Sequence, residues 1–349
     1  MMNVRRDRWK AAARDLLILA IAVGMGVAIY LERSTIANGL RNTRSLNWAF
    51  VAASSVIEVL SMVAFALLYR DLLRANGSRL TLTWILAGSY TANAICLAIP
   101  VIGSGMASRQ MYRWFRQGGA DPAATSLTLT VAGIVSTVTL ATVVTTGALL
   151  SGNPAAGVGG ALAAIGLLGV ATALAVELHT ERGRTRLLGM TTAFISCSQR
   201  IIKRPRGESR AIAESVLASL QQMRLNVSAL ARLLLWGLLN WWADVACWIF
   251  ATLAANITGL SVGKSLLVWT AGAGAASFSP TPAGIGAVEV AMIATMAGVR
   301  VKGSDAITAV LVYRIISLKG AVSLWAVVYG TIKRHRRSLR RAEPPFVVE

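Results

Sequence analysis

Five charged side chains, Glu58, Asp244, Glu289, Arg314 and Lys319, stand inside long apolar stretches of this 349-residue chain, and Arg109 and Arg113 border another. A charge at the centre of a membrane span costs roughly 2.5–3.5 kcal/mol on insertion scales, so each calls for a partner, a cavity or a route to the interface. Carboxylates at 244 and 289 suit a cationic or hydroxyl-rich group, whereas the guanidinium groups of Arg314 and Arg109 suit phosphate. Both signs together suit a zwitterionic or phosphate-bearing ligand, because each charge finds its opposite at close range. A plainer reading fits the same residues: an ion pair such as Glu289 with Arg314 locks helices together and binds nothing. Glu58 fits either role, and Lys319 and Arg113 fit snorkelling to an interface.

The carboxylate at 289 closes an unusual stretch, Ser279-Pro280-Thr281-Pro282-Ala283-Gly284-Ile285-Gly286-Ala287-Val288-Glu289. Pro280, Pro282, Gly284 and Gly286 cannot continue a helix, since proline lacks the N–H and glycine adds backbone entropy. Non-helical backbone at membrane depth survives only where protein or a water-filled cavity satisfies its polar groups. A broken hairpin carrying a charge therefore points to a transport pathway. Gly284-Ile285-Gly286 lacks the third glycine and the βαβ setting of a dinucleotide fingerprint, which excludes that reading. The run Thr270 to Ser277 offers small residues for close helix packing. Asp244 lies beside Trp241, Trp242 and Trp248, and the tryptophans read mostly as packing or interface anchors.

The elements that hold these residues follow from composition. Hydrophobic residues make up 55% of the chain and charged ones 14%, and several apolar runs reach the roughly 20 residues that a helix needs to cross a bilayer. The predicted class is all-α, a polytopic membrane protein of one transmembrane domain over 1–349. Its apolar segments are about 16–31, 48–69, 80–102, 126–150, 157–178, 229–255, 265–299 (broken) and 305–332. The first run reads as an anchor and not as a cleaved signal. The net charge is +20, yet the basic residues lie between spans and at the ends, which suits anionic lipid headgroups and excludes a nucleic-acid module. Cys96, Cys197 and Cys247 have no CxxC spacing, and His179 and His335 lie in basic flanks. Neither a metal site nor a cofactor is expected.

Charge also sets the topology. The N-terminal Arg5, Arg6, Arg8, Lys10 and Arg14, the tail 333–349 and the connection 179–232, with ten Lys/Arg against three Asp/Glu, should all be cytoplasmic. The uncharged stretch 151–156 should be external. Parity holds only if the third segment breaks at Pro100-Val101-Ile102-Gly103-Ser104-Gly105 and returns through 106–117, and if 265–299 likewise re-enters from outside. Arg300 and Lys302 then fall on the external side, outweighed by the ten. A shift of 181 residues carries Gly103 onto Gly284, Gly105 onto Gly286 and 48–69 onto 229–250. The chain thus reads as about six full spans plus two oppositely oriented re-entrant hairpins, an inverted repeat of 15–150 and 157–332. Within the connection, Ile212, Val216, Leu220 and Met223 share one face of an amphipathic helix over 209–224, lying on the membrane or on the protein's own underside.

Pro280 to Glu289, followed about 25 residues on by Leu311-Val312-Tyr313-Arg314, resembles the signature of the lysylphosphatidylglycerol synthase transmembrane region family. The likeness runs from about residue 15 to 335, with Ala283-Gly284 where the family usually has a Gly-Gly pair. The family includes the flippase part of the multiple peptide resistance factor and stand-alone membrane proteins. The resemblance implies movement of a lipid between leaflets, with Asp244, Glu289 and Arg314 lining a cavity for its headgroup. It implies no lysyl transfer by this chain, which has no counterpart of the synthase's soluble domain. The headgroup stays open between an aminoacylated phospholipid and a glycan on a polyprenyl phosphate.

The leading reading is therefore a non-enzymatic flippase of the cell membrane, with a lipid substrate bound by Asp244, Glu289, Arg314, Arg109 and Glu58. Two others compete: an intramembrane transferase with a lipid-linked donor, for which no nucleophile–base pairing is visible, and a membrane partner that recruits a cell-envelope biosynthetic enzyme through 179–232. A homo-oligomer is a further candidate assembly. Single-cysteine labelling tests the layout: positions in 103–120 should react from the cytoplasm and positions in 151–156 from outside. Labelling of both from one compartment overturns the mirrored arrangement.

Overall fold

The computed structural model describes residues 45–99, 103–150, 227–279 and 281–317. They form eight α-helices and no strand: α1 Trp48–Ala75, α2 Leu82–Ala98, α3 Gly103–Gln117, α4 Pro122–Leu150, α5 Val227–Ala254, α6 Val262–Phe278, α7 Ala287–Gly298 and α8 over 303–317, with a 3₁₀ turn at Pro282–Gly284 between α6 and α7. The chain is an all-α membrane protein. Among the described residues α1, α4 and the part Ser228–Ala254 of α5 are long and apolar enough to cross a bilayer. The 17 residues of α2 and of α6 reach only about 26 Å at 1.5 Å per residue, short of a core of about 30 Å. Expected features outside the described residues are the segments 16–31 and 157–178, the amphipathic stretch 209–224, the tail 333–349, Pro100, Pro280 and Lys319.

Local chemistry sets the helix ends. Asn47 accepts from the Ala49 N–H at 3.1 Å to start α1, and Asp121 accepts from Ala123 at 2.8 Å to start α4, with Pro122 as its first residue. Ser261 caps α6 through the Lys264 N–H.

Each half runs long helix, short helix, break, short helix, then a helix packed back on the bundle, in the order the repeat predicts. The leading helices α1 and α5 make the most extensive helix–helix contact among the described residues. Three hydrogen bonds fix their register: Asn47 N–H to Ala254 O at 3.0 Å, Ser54 Oγ to Cys247 O at 2.8 Å, and Ser61 Oγ to Asn240 O at 2.9 Å. The positions rise by seven on α1 as they fall by seven on α5. The equivalent helices of the two halves are thus antiparallel, as an inverted repeat requires.

Helices α2 and α3 form the first hairpin. Trp84 and Trp114 stack with centroids 4.7 Å apart, and each indole N–H donates to the other residue's carbonyl, at 3.2 and 2.8 Å. Ala107, Met111, Trp114 and Phe115 of α3 are buried, while Ser104, Ser108, Arg113 and Arg116 are exposed. Helices α6 and α7 form the second hairpin, where a side chain at Gly272 would meet Met292 at 2.8 Å. The small-residue run of α6 therefore serves packing at Gly272, although Gly274 faces open space. The hairpins meet where α2 packs against the turn 282–284.

One expectation changes. Gly103 and Gly105 open α3 as helical residues and do not form the break itself. Gly103 is needed for close approach, since a Cβ there would lie 2.5 Å from the Cys96 carbonyl oxygen; Gly105 has nothing within 4 Å. Gly103→Ala should therefore destabilise the protein by about 1–3 kcal/mol through overpacking, read as a lower melting temperature in detergent, while Gly105→Ala leaves it within experimental error. Equal melting temperatures would refute the close approach.

Candidate functional site

The second break solves the backbone problem that its prolines and glycines create. Ala283 (φ 54°), Gly284 (φ 67°) and Gly286 (φ 89°) all adopt left-handed conformations. Only glycine takes such angles without steric cost, so Ala283 is the one strained residue of the three. At Gly284 a side chain would also strike Val288 at 2.6 Å. Thr281 Oγ1 donates to the Ile285 carbonyl at 2.8 Å, and the Gly284 N–H donates to Thr281 O at 3.1 Å.

The charged residues complete the turn. Glu289 lies in the first turn of α7, and its Oε2 accepts from the Gly286 N–H at 2.6 Å. Its Oε1 accepts from Arg314 Nε on α8, also at 2.6 Å, and Arg314 Nη2 donates to the Ala283 carbonyl at 2.6 Å. One ion pair therefore satisfies an orphan N–H and an orphan C=O of the break and ties the turn to α8. The side chains are only 11% (Arg314) and 22% (Glu289) exposed. The ion-pair reading of these two residues is correct as geometry, but it is incomplete, because Arg314 also lines a cavity and Nη1 has no hydrogen bond among the described residues.

That cavity, of about 370 Å³, is bounded by Leu97 of the first hairpin, Leu140 of α4, the small residues Gly272, Ala273 and Ala276 of α6, and Val288 and Met292 of α7. Trp241, Asp244, Trp269, Tyr313 and Arg314 supply its polar and aromatic wall. Asp244 is held in place from two sides: Tyr313 OH donates to Oδ1 at 2.9 Å, and Trp269 Nε1 donates to Oδ2 at 3.3 Å. These partners are themselves positioned. Tyr313 packs edge-on against Trp248 at 5.6 Å, and the Trp248 indole donates to Ser265 O at 3.1 Å. Trp269 meets Trp241 edge-on at 6.0 Å, and Trp241 donates to Ser136 O of α4 at 3.0 Å. A carboxylate locked by two neutral donors keeps its charge available to a ligand without a basic side chain to quench it directly.

Asp244 and Arg314 thus share one cavity wall, with Glu289 held behind Arg314. The other two candidates stand elsewhere. Arg109 is half-buried on α3 and does not border the cavity. Glu58 lies in the contact between α1 and α5, next to Cys247, and does not border it either. Sequence reasoning missed Tyr313, Trp269 and Trp241. Tyr313 carried a signal, as the neighbour of Arg314 in the Leu311-to-Arg314 motif, and Trp241 carried one beside Asp244 but read as packing or an anchor; Trp269 carried none, because its role depends on which helices meet.

No curated protein matches this chain at a significant level. A family model described as the lysylphosphatidylglycerol synthase TM region matches residues 17–327, which takes in both hairpins, the strained turn and all three charged residues of the site. The protein belongs to the lysylphosphatidylglycerol synthase TM region family.

Proposed function

We propose that this protein moves an amphiphilic lipid between the leaflets of the cell membrane without converting it chemically. The lipid has an aminoacylated or glycosylated headgroup on a phospholipid or a polyprenyl phosphate. The observation that carries the reading is the cavity between the hairpins, in which one oriented carboxylate and one guanidinium stand in an otherwise apolar and aromatic wall. Its volume falls within the roughly 300–1,000 Å³ of ligand clefts, enough for a headgroup and too small for acyl chains, which would stay in the lipid. Arg314 would face the phosphate, and Asp244 the cationic or hydroxyl-bearing end.

Membership of the family supports a lipid-handling role of this kind. The antiparallel seam of α1 and α5 supports rocking of one half against the other, the motion by which inverted repeats expose a central site to alternate sides. The basic N-terminus, the connection 179–232 and the tail support cytoplasmic termini and contacts with anionic lipid.

The lipid that co-purifies under mild extraction, identified by mass spectrometry, should be the one whose outer-leaflet exposure depends on the protein. Measured with a membrane-impermeant headgroup label, Asp244→Asn and Arg314→Lys should each slow exposure at least about tenfold, equivalent to about 1.4 kcal/mol, with insertion and helix content intact. Normal exposure in both variants overturns the reading. Glu289→Gln has a second effect, since it weakens the charge-assisted bonds that hold the turn; it should cost about 1.5–3 kcal/mol of stability, seen as a lower melting temperature that Asp244→Asn does not share.

A further inference from the structure

Glu58 is left without a role by the headgroup cavity. It stands on α1 in the seam between the two halves, where its Oε2 is buried with no hydrogen-bond partner among the described residues. The seam around it is otherwise well paired. Ser54, one turn earlier on α1, donates to the Cys247 carbonyl at 2.8 Å and lies 3.2 Å from the Cys247 sulfur, and Ser61 donates to Asn240.

The titratable groups in electrostatic range of Glu58 come from three helices. Helix α5 contributes Asp244 and Cys247, α2 contributes Tyr90, and α8 contributes Tyr313. None of these is basic. Arg314, whose field reaches Asp244, is already engaged by Glu289 and the Ala283 carbonyl. A carboxyl group with an orphaned buried oxygen, no cationic partner among these groups and a second carboxylate in electrostatic range is a poor structural element. Ion pairing and hydrogen bonding would both have been better served by another residue.

We propose that Glu58 is a proton-carrying site, and that proton uptake and release there couple the seam between the halves to the state of the headgroup cavity. Uptake forms an O–H bond on the Glu58 carboxyl with a proton from water on one side, and release breaks that bond to water on the other. No other reactant is needed. The coupling runs through Asp244, which the Ser54–Cys247 and Ser61–Asn240 bonds bring close to Glu58 in the register of α1 and α5, and which lines the cavity with its Tyr313 and Trp269 donors. Protonation removes the repulsion between the two carboxyl groups, so the proton count at the seam and the charge presented to a ligand are linked. The lipid need not be known for this to hold, and it can fail independently of the lipid-transport reading.

Infrared difference spectroscopy of the full chain, reconstituted in phosphatidylglycerol–phosphatidylethanolamine liposomes and titrated from acid to alkaline pH, tests it. The spectrum of the wild-type chain minus that of Glu58→Gln should contain a protonated-carboxyl C=O band that appears and vanishes with pH, the other fourteen acidic side chains being common to both. Asp244→Asn, which retains Glu58, should keep that band but move its midpoint by about one pH unit or more. A titration identical in the wild-type chain and Glu58→Gln, a midpoint unmoved by Asp244→Asn, or a difference band that follows sodium concentration at fixed pH would each overturn the proposal. Failure of Asp244→Asn to alter lipid exposure, with these bands as expected, would sink the lipid reading and leave the proton site standing.

Discussion

Among the described residues of the second half, the arrangement turns on how a break in a helix is satisfied. The turn from Pro282 to Gly286 leaves an N–H at Gly286 and a C=O at Ala283 without helical partners. An unsatisfied backbone group buried away from water costs several kcal/mol. Glu289 and Arg314 meet that demand together and neutralise each other in doing so. The same bond brings α8 against the turn, which puts Tyr313 beside Asp244. A backbone constraint thereby determines where the cavity's charges lie.

The division of labour among the charges follows from burial and partners. Glu289 is spent on the turn; Arg314 is partly spent and keeps one face to the cavity; Asp244 is oriented by an indole and a phenol that leave its charge intact. Removing any of the three has a different meaning, because the first weakens the scaffold while the last alters only what the cavity presents. Glu58 belongs to neither set. It lies in the contact between α1 and α5, where Ser54 and Ser61 are paired by hydroxyl-to-carbonyl bonds and the Glu58 Oε2 is not paired among the described residues.

The two hairpins resemble each other in length and order but not in chemistry. The first is closed by stacked indoles and a tight glycine contact at Gly103, with Arg113 and Arg116 of α3 exposed. The second carries the strained turn and its ion pair. The repeat supplies the symmetric frame that lets α1 and α5 run antiparallel, and the asymmetry places the polar side chains of the cavity mainly in the second half.

Much of this was legible in the amino-acid order. Apolar run lengths set the helices, with each end of α1, α4 and α5 found within about six residues of expectation, because hydrophobicity over about 20 residues is a local property. The clustering of Pro and Gly located the second break, and charge parity required the re-entrant hairpins, so the order of elements in each half could be stated beforehand. Asp244, Glu289 and Arg314 stood out as charges in apolar surroundings. What only the tertiary structure decided was pairing: that Arg314 reaches Ala283 O as well as Glu289, that Tyr313 and Trp269 orient Asp244, and that Arg109 and Glu58 lie away from the cavity. These contacts join residues 25 to 69 positions apart on different helices. They depend on how helices cross and rotate, a global outcome of packing that no short stretch of sequence encodes.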